Sequence, residues 1–300
     1  MSPTCGGGHR FVIDNTRYNF NYLRVIRVRV ILSVFRSISK TAVIILLLMT
    51  MLANPVKYNS RVFIYSLYKG FARASFTREY VDSHEAENDE MRLLYEGKHS
   101  DFVKPVAYDV ETAFDKLFED FQYIPKDKVD IIIYPDYEEM SHIMALGSGS
   151  PALGAYYCGT IGIHDPKGAP VKQGLILHEL THYIIDYMTS GNVPAWFTEG
   201  AALYEEYRVY KREWAKSMDY SDFYSLKELE GDFYKLDEIK AYKESYLVVK
   251  YIVQNYGMEG VRKIIANFKE GDATHAAVKD ALAIDADALF DKALESEKAK

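Results

Sequence analysis

The chain has 300 residues, 48% hydrophobic and 26% charged, which is enough for one large domain or two modest ones and too apolar for a disordered protein. Its net charge is −7, and residues 1–53 hold seven basic residues and one acid, so the body is markedly acidic and a poor binder of nucleic acid. Two cysteines, Cys5 and Cys158, exclude a disulfide framework and a zinc site made of cysteines.

An uncharged apolar run, residues 41–56, follows a basic segment, residues 1–40. This order predicts a cytoplasmic start and a body outside the cytoplasm. Sixteen residues are intermediate between a signal-peptide core and a membrane span, so the run fits a membrane anchor and a cleaved signal equally, with a buried core helix as a third alternative. The body is therefore expected to be membrane-anchored or secreted. The forty residues before the run leave an over-extended start codon open.

The pattern of a folded domain begins after an acidic stretch. Residues 80–90, YVDSHEAENDE, show no apolar periodicity, so we assign residues 57–90 to a solvated juxtamembrane linker. A catalytic domain is expected over residues 91–295. Its first half, 91–190, would be α/β, and its second half, 191–295, would be helical.

Strands are predicted before helices in this domain. Apolar residues at helical spacing predict a helix over 102–121, and VDIIIY (129–134) is typical of a strand. A loop at 148–154 precedes a second strand candidate, GTIGIH (159–164). Helical patterns then cover roughly 172–189, 194–215, 240–256, 259–269 and 275–294. The fold class expected from this order is α+β, with a small mixed sheet followed by a mainly helical half.

The stretch GLILHELTHYIID (174–186) places two histidines and a glutamate in an apolar helical pattern. On a helix, His178 and His182 lie one turn apart on one face, so both can bind one ion. Glu179 is about 100° round the helix, where it can act on a metal-bound water as the general base of an H-E-x-x-H motif. A helix with two partly exposed histidines also explains the match, and catalytic zinc requires a third protein ligand.

A candidate third ligand follows in GNVPAWFTEGAALYEEY (191–207). Its Gly-Asn pair indicates a turn and its proline suits the start of a helix, which places Glu199 one turn into that helix. Gly200 and two alanines would let this helix pack closely on the first and bring Glu199 to the histidines. Glu205 and Glu206 lie two turns further on and are typical of a solvated face, so they are weaker candidates.

HELTH followed by PAWFTEG resembles the gluzincin metallopeptidases, the peptidase MA-like group that includes thermolysin and the aminopeptidase N type enzymes. The resemblance is strong over 174–207 and loose over 92–295. It implies a thermolysin-like core with one zinc ion per chain between the two halves, and it assigns the third ligand to Glu199. Three departures indicate a distinct branch. Only sixteen residues separate the second histidine from the glutamate, Thr198 stands where asparagine is frequent, and Leu203 stands where thermolysin carries a supporting acid.

The resemblance also implies a tyrosine that stabilises the developing oxyanion. Aminopeptidase N relatives use the tyrosine of Y-x-K-G-x-x-x-L, and AYKESYLVVKYI (241–252) is similar, with Tyr242 at that place and Ser245 at the glycine. A phenol can donate a hydrogen bond to developing charge, which is worth most in a dry site. The chain has 25 tyrosines, and Tyr246, one turn later, is the main alternative.

The strand before the histidine helix is the expected substrate site. In the peptidases that the chain resembles, an edge strand there pairs with the extended substrate backbone. The resemblance therefore implies substrate contacts for Gly159, Thr160, Ile161 and Gly162.

Together these features predict a zinc-dependent metallopeptidase that hydrolyses a peptide or protein substrate outside the cytoplasm. No acidic anchor for a substrate amino terminus is evident, which favours an endopeptidase. Two alternatives are a non-catalytic membrane-anchored binding domain and a zinc hydrolase of a non-peptide substrate. Asp186 also matches the thermolysin helix, but the sequence assigns it no role. The oligomeric state is left open.

Overall fold

A computed structural model of the chain describes residues 12–13, 57–78, 80, 84–97, 100–146, 152–164, 174–216 and 222–298. The apolar run at 41–56 lies outside these residues, and so does the basic segment at 1–40 except for Val12–Ile13. Over the part of the chain that is described, no helix is long and apolar enough to cross a membrane.

One mixed sheet is formed by six strands of the described residues, β1 (Val12–Ile13), β2 (His84–Glu87), β3 (Met91–Tyr95), β4 (Val129–Tyr134), β5 (Gly154–Tyr157) and β6 (Thr160–His164). Their order across the sheet is β1-β2-β3-β4-β6-β5. Strand β4 pairs in parallel with β3 and with β6, whereas β1 with β2, β2 with β3, and β5 with β6 are antiparallel pairs. The sheet therefore has a parallel centre and antiparallel edges.

The α-helices of the described residues are α1 (Lys57–Thr77), α2 (Ser100–Phe121), α3 (Tyr137–Ile143), α4 (Leu175–Thr189), α5 (Ala195–Tyr210), α6 (Leu226–Leu229), α7 (Glu238–Glu270), α8 (Thr274–Leu282) and α9 (Ala286–Lys298). A short 3-10 turn, Phe233–Lys235, lies between α6 and α7. All six strands thus come before α4, and in the described residues after α4 the regular elements are all helical.

The centre of the sheet is covered by helices on both faces. Ile131 and Ile133 of β4 belong to the main core with α2 and α4, while Ile132 and Tyr134 point to the opposite face and pack with α1 and α3. All six residues of β4 are buried, as expected of a parallel strand between two helical layers. Helix α4 is thereby fixed against one face of the sheet.

The linker prediction for residues 57–90 is wrong. Helix α1 packs on the sheet through the buried side chains of Ala72 and Phe76, and β2 lies within the acidic stretch and pairs with β3. Glu85 and Glu87 alternate along β2 with Ala86, which is fully buried. Because the buried Ala86 is a small residue between two glutamates, the strand left no apolar pattern in the sequence.

The predicted α+β class, with a mixed sheet followed by a mainly helical half, is confirmed. The break predicted between the patterns at 240–256 and 259–269 is confirmed, because α7 leaves the helical backbone at Gly257 (φ 68°, ψ 177°) and so consists of two helical segments. One helix boundary differs from the prediction. The pattern at 275–294 is two helices, because Ala283 adopts a left-handed backbone (φ 57°) between them.

Candidate metal centre

The two histidines of the H-E-x-x-H motif lie side by side on α4. Most of this helix is buried, so packing on the sheet and on neighbouring helices fixes its orientation. The side chains of His178 and His182 are only 14% and 11% exposed, and their ring centroids are 4.9 Å apart. The apolar residues around the motif therefore hold both imidazoles at a defined place.

Glu199 brings a third ligand atom to the histidines. Its Oε2 lies 3.4 Å from the Nε2 of His178 and 3.4 Å from the Nε2 of His182. A tetrahedral ion with bonds of about 2.0–2.1 Å places its ligand atoms about 3.3 Å apart, so these separations fit a zinc-sized ion. Among the described residues, these three form the one cluster of histidine, cysteine or acidic side chains whose ligand atoms converge in this way.

The same oxygen supplies an independent test of that fit. Glu199 Oε2 is buried and has no hydrogen-bond partner within the described part of the chain. A buried carboxylate oxygen without a partner is costly, because it has lost its hydration without replacement. A metal ion held by the three side chains would satisfy this oxygen.

A glycine sets the position of the helix that carries Glu199. A Cβ at Gly200 would lie 2.3 Å from the carbonyl oxygen of Ser245, so only glycine allows α5 and α7 to approach this closely. We expected the small residues to face the histidine helix, and for Gly200 that expectation is wrong. The close contact joins α5 to the helix that carries Tyr242.

Each histidine is also held by a second contact at its other ring nitrogen. The Nδ1 of His178 lies 2.8 Å from Glu206 Oε1, and the Nδ1 of His182 lies 2.7 Å from Thr198 Oγ1. Such contacts fix the ring orientation and direct each Nε2 toward the ion. The assignment of Glu206 to a solvated face is wrong, because it follows Glu199 by seven residues and returns to the same side of the helix after two turns.

Thr198 and Glu206 also explain two of the departures noted in the sequence. Leu203 stands where a supporting acid was expected, and Glu206 supplies a carboxylate one turn later instead. The threonine that replaces asparagine contacts His182. The departures therefore change which residues contact the histidines, but the Nδ1 of each histidine still has a side-chain partner.

Glu205, the other weaker candidate for the third ligand, points elsewhere. Its side chain is 1% exposed and pairs with Arg208 at 2.8 Å. Burial raises the pKa of Glu205 to about 8, although Arg208 opposes that shift. It belongs to a buried cluster with Asp120 and Arg208, and the prediction that it faces solvent is wrong.

The charges at the three ligands are complementary. Burial alone would lower the pKa of His178, but contacts with Glu199 and Glu206 outweigh it and raise this pKa well above its usual value. Burial would raise the pKa of Glu199, but His182 and His178 outweigh it and hold this pKa below its usual range. The raised pKa of His178 favours its protonated form, and an ion bound at this nitrogen would have to displace that proton.

A sequence profile of the Peptidase MA superfamily matches residues 110–296, more than half of the chain. The chain belongs to the Peptidase MA superfamily. This superfamily is typically metal-dependent, in agreement with the cluster of two histidines and a glutamate, and membership indicates a metallopeptidase-like hydrolase with a gluzincin-type fold. No curated protein matches the chain. The superfamily match begins within α2, so α1, β2 and β3 lie before it.

Glu179 lies beside the ligands of this Peptidase MA site. It is 5% exposed, and burial raises the pKa of its carboxyl above the usual range although the charges of His178 and His182 oppose that shift. A carboxylate with a raised pKa is a stronger proton acceptor, which suits a general base.

Two tyrosines approach Glu199, one of which the sequence did not single out. Burial and the charge of Glu199 raise the pKa of Tyr242 and of Tyr234, so both phenols keep their protons and can donate. The hydroxyl of Tyr234 donates to Glu199 Oε1 at 3.2 Å, although the residue as a whole is 69% exposed. Tyr246 is fully buried and packs on Tyr207 with a centroid distance of 5.8 Å.

The strand predicted to bind substrate is not an edge strand. Gly159 lies in the tight turn before β6 (φ 86°), and Thr160, Ile161 and Gly162 lie on β6 itself. Since β6 pairs with β4 on one side and β5 on the other, its backbone cannot take up an additional strand. The outer strand next to α4 is β5, Gly154–Tyr157.

Asp186, which the sequence left unassigned, lies one turn beyond His182. Its carboxylate pairs with Lys69 Nζ at 2.6 Å and accepts hydrogen bonds from the hydroxyls of Tyr65 and, at 2.6 Å, Tyr156. The Tyr156 ring in turn stacks on His182, with centroids 6.4 Å apart and planes at 23°. Asp186 therefore joins α1 and β5 to the metal-binding helix.

Proposed function

We propose that this chain is a zinc-dependent metallopeptidase that hydrolyses peptide bonds, with zinc held by His178, His182 and Glu199. The observation that carries the proposal is the convergence of Glu199 Oε2, which accepts no hydrogen bond, on the Nε2 atoms of both imidazoles at 3.4 Å. The donor set of two imidazoles and a carboxylate supports a catalytic zinc site, because it leaves a fourth position open. Membership of the Peptidase MA superfamily supports the same reaction class.

The side chains around the ligands supply the remaining chemistry. Zinc, when bound, provides a Lewis acid that polarises a carbonyl and lowers the pKa of water to about 7. Glu179 accepts a proton from the attacking water and delivers it to the leaving amine. Tyr242 donates a hydrogen bond to the developing oxyanion, and Tyr234, whose hydroxyl already reaches Glu199, is the alternative donor.

The substrate we propose is an extended peptide segment that lies along β5. This strand is the outer member of the sheet beside α4, and strand addition there provides main-chain hydrogen bonds that do not depend on sequence. Such binding in the middle of a chain favours endopeptidase activity. The basic segment and the apolar run at its end favour a catalytic domain outside the cytoplasm, held by a membrane anchor or released from a signal.

Replacing Glu179 with glutamine tests the proposal. The E179Q variant keeps the shape of the side chain but removes the base, so we expect zinc content to stay at one per chain while cleavage of a casein-like unfolded substrate falls by about 10²–10⁴-fold. Metal analysis and the rate of peptide release measure the two effects. The matched control is E138Q on α3, an exposed glutamate that should retain full activity.

Three outcomes separate the alternatives. Equal cleavage by E179Q and the parent protein would contradict the mechanism. A parent protein that binds zinc but cleaves neither unfolded proteins nor peptides would favour a binding domain. Cleavage of ester or other non-peptide substrates alone, still dependent on Glu179, would favour a different hydrolase.

A further inference from the structure

Helix α1 exposes an apolar face to solvent. Five large side chains recur on one side of this helix at helical spacing and are 40–67% exposed, namely Phe63, Ile64, Leu67, Tyr68 and Phe71. These five account for nearly half of the large hydrophobic side chains that are exposed on the described part of the chain, and the others are scattered over five different elements or loops. A contiguous apolar patch of this kind marks an interaction surface. We call these five residues the outer face of α1.

The opposite side of α1 is firmly attached to the catalytic domain. Lys69 pairs with Asp186 on the metal-binding helix, and Arg73 pairs with Asp130 on β4 at 2.9 Å. Arg61 donates to the carbonyl of Ser190, just beyond the end of α4. These cations point inward, and α1 contains no acid, so its outer face is neutral as well as apolar. Of the outer face, Tyr68 also contacts the domain through a hydrogen bond between its hydroxyl and that of Tyr157 on β5, yet it remains 47% exposed, so contact with the domain leaves much of the outer face uncovered.

The position of the outer face in the chain indicates what covers it. Helix α1 begins at Lys57, directly after the apolar run of residues 41–56. Phe63 is six residues into the helix, about 9 Å along its axis. If the run enters a membrane, the outer face lies within reach of the membrane surface.

A bilayer covers this surface more completely than a protein partner does. The run 41–56 has no charged residue on any side, so folding it back onto α1 would cover one side of the run and leave its other sides in water. A second copy of the chain would cover the outer face and leave the run exposed. A bilayer covers both, and aromatic side chains such as Phe63 and Phe71 favour its interfacial region.

We propose that the outer face of α1 lies in the interfacial region of a lipid bilayer and seats the catalytic domain directly on the membrane. This inference rests on the proposed membrane segment at 41–56 and not on the peptidase activity. In this arrangement the helix that contacts lipid is the one that holds Asp186 through Lys69 and Tyr65.

The test uses the full chain in phosphatidylcholine vesicles, with Cys5 and Cys158 replaced by serine. One variant carries Leu67→Cys on the outer face, and the matched control carries Tyr108→Cys, a 69% exposed position on α2. Each cysteine is labelled with a fluorophore that shifts to the blue in apolar surroundings. We expect a blue shift at position 67 and several-fold quenching by lipids with spin-labelled tails, and neither effect at position 108.

Every other outcome overturns the proposal. Water-like emission at position 67 means that the outer face is not covered. A blue shift without quenching by lipid means that protein covers it, and its loss on dilution identifies a second copy in place of residues 41–56. Failure of the chain to float with the vesicles rejects lipid contact and the anchor together. The E179Q assay needs no membrane, so the peptidase proposal succeeds or fails independently.

Discussion

Helix α4 carries two buried polar clusters, and they differ in how completely their groups are paired. Near its amino-terminal end, His178 and His182 converge with Glu199, yet one oxygen of Glu199 has no hydrogen bond. Near its carboxyl-terminal end, Asp186 is paired with Lys69 and two tyrosine hydroxyls. Buried polar groups are normally satisfied, so the incomplete cluster is suited to hold a metal ion and the complete one indicates a structural role. The following substitutions test this distinction.

The largest effect is expected from Glu199→Ala, which removes a ligand from the incomplete cluster. Zinc affinity should fall by more than about 100-fold, since loss of a contact that merely supports a ligand already costs about 10–100-fold. Competition with a chromophoric chelator measures the change. The control is Glu205→Gln, a buried glutamate on the same helix that faces Arg208 and should leave zinc affinity unchanged. Loss of zinc from the control and not from E199A would move the third ligand to Glu205.

A substitution in the complete cluster should lower the free energy of unfolding. Asp186→Asn leaves Lys69 buried without a countercharge, and breaking a buried pair in this way costs about 3–5 kcal/mol of unfolding free energy. Urea denaturation of the metal-free protein measures it. Adding Lys69→Met to D186N removes the unpaired positive charge and should recover part of the lost unfolding free energy. A D186N protein with parental stability but weakened zinc binding would place Asp186 in the metal site instead.

A smaller effect is expected at the residues that support the histidines. Glu206→Gln weakens the contact with His178 Nδ1 and should reduce zinc affinity by about 10–100-fold without loss of stoichiometry. Thr198→Val removes the corresponding contact of His182 and is the matched variant on the other ligand. Titration with a chelator measures both. Unchanged affinity in the two variants would show that packing alone orients the rings.

The smallest effect concerns pH and a carboxylate outside both clusters. Glu244 is fully buried, and burial raises its pKa to about 8 although it accepts the backbone N–H of Tyr224. Because this pKa is raised in the folded protein, its contribution to stability is present below the unfolded pKa and is lost as pH rises toward 8. Glu244→Gln should remove that loss, so the parent's fall in stability between pH 5 and pH 8 should exceed the variant's by at least about 1.4 kcal/mol, one pKa unit.

Unfolding in urea at the two pH values checks the Glu244 prediction. Every other titratable group is common to parent and variant and cancels from the difference, so parallel pH profiles would show that Glu244 is ionised in the folded protein at both pH values. The measurement is made without metal, which keeps histidine ligation out of the comparison.

The convergence of His178, His182 and Glu199 could be predicted from sequence because its geometry is local. His178 and His182 are one helical turn apart, and Glu199 follows after a turn that the sequence marks clearly. Glu206 could not be found in this way, since its meeting with His178 depends on how α5 is rotated against α4. The contact of Gly200 with Ser245 likewise depends on a helix more than forty residues away.

The sheet shows the same limit. The strand β4 was evident because five of its six residues are apolar, whereas in β2 the buried Ala86 stands between Glu85 and Glu87. Strand order is decided by pairing between distant segments, so the sequence could place a strand at Thr160–His164 but not show that β5 lies outside it. The contact of Tyr234 with Glu199 could not be predicted for a similar reason, because it depends on how the 3-10 turn packs against α5.

The close approach at Gly200 has a consequence for judging relatives of this protein. A Cβ there would meet the Ser245 carbonyl and push apart the helices that carry Glu199 and Tyr242. A related chain that keeps both histidines and the glutamate but carries a bulkier residue at this position would be expected to hold the glutamate and the tyrosine in different places. Checking the histidines and the glutamate alone would therefore miss such a change. The residue at the position of Gly200 would reveal it, because only glycine leaves room for the Ser245 carbonyl.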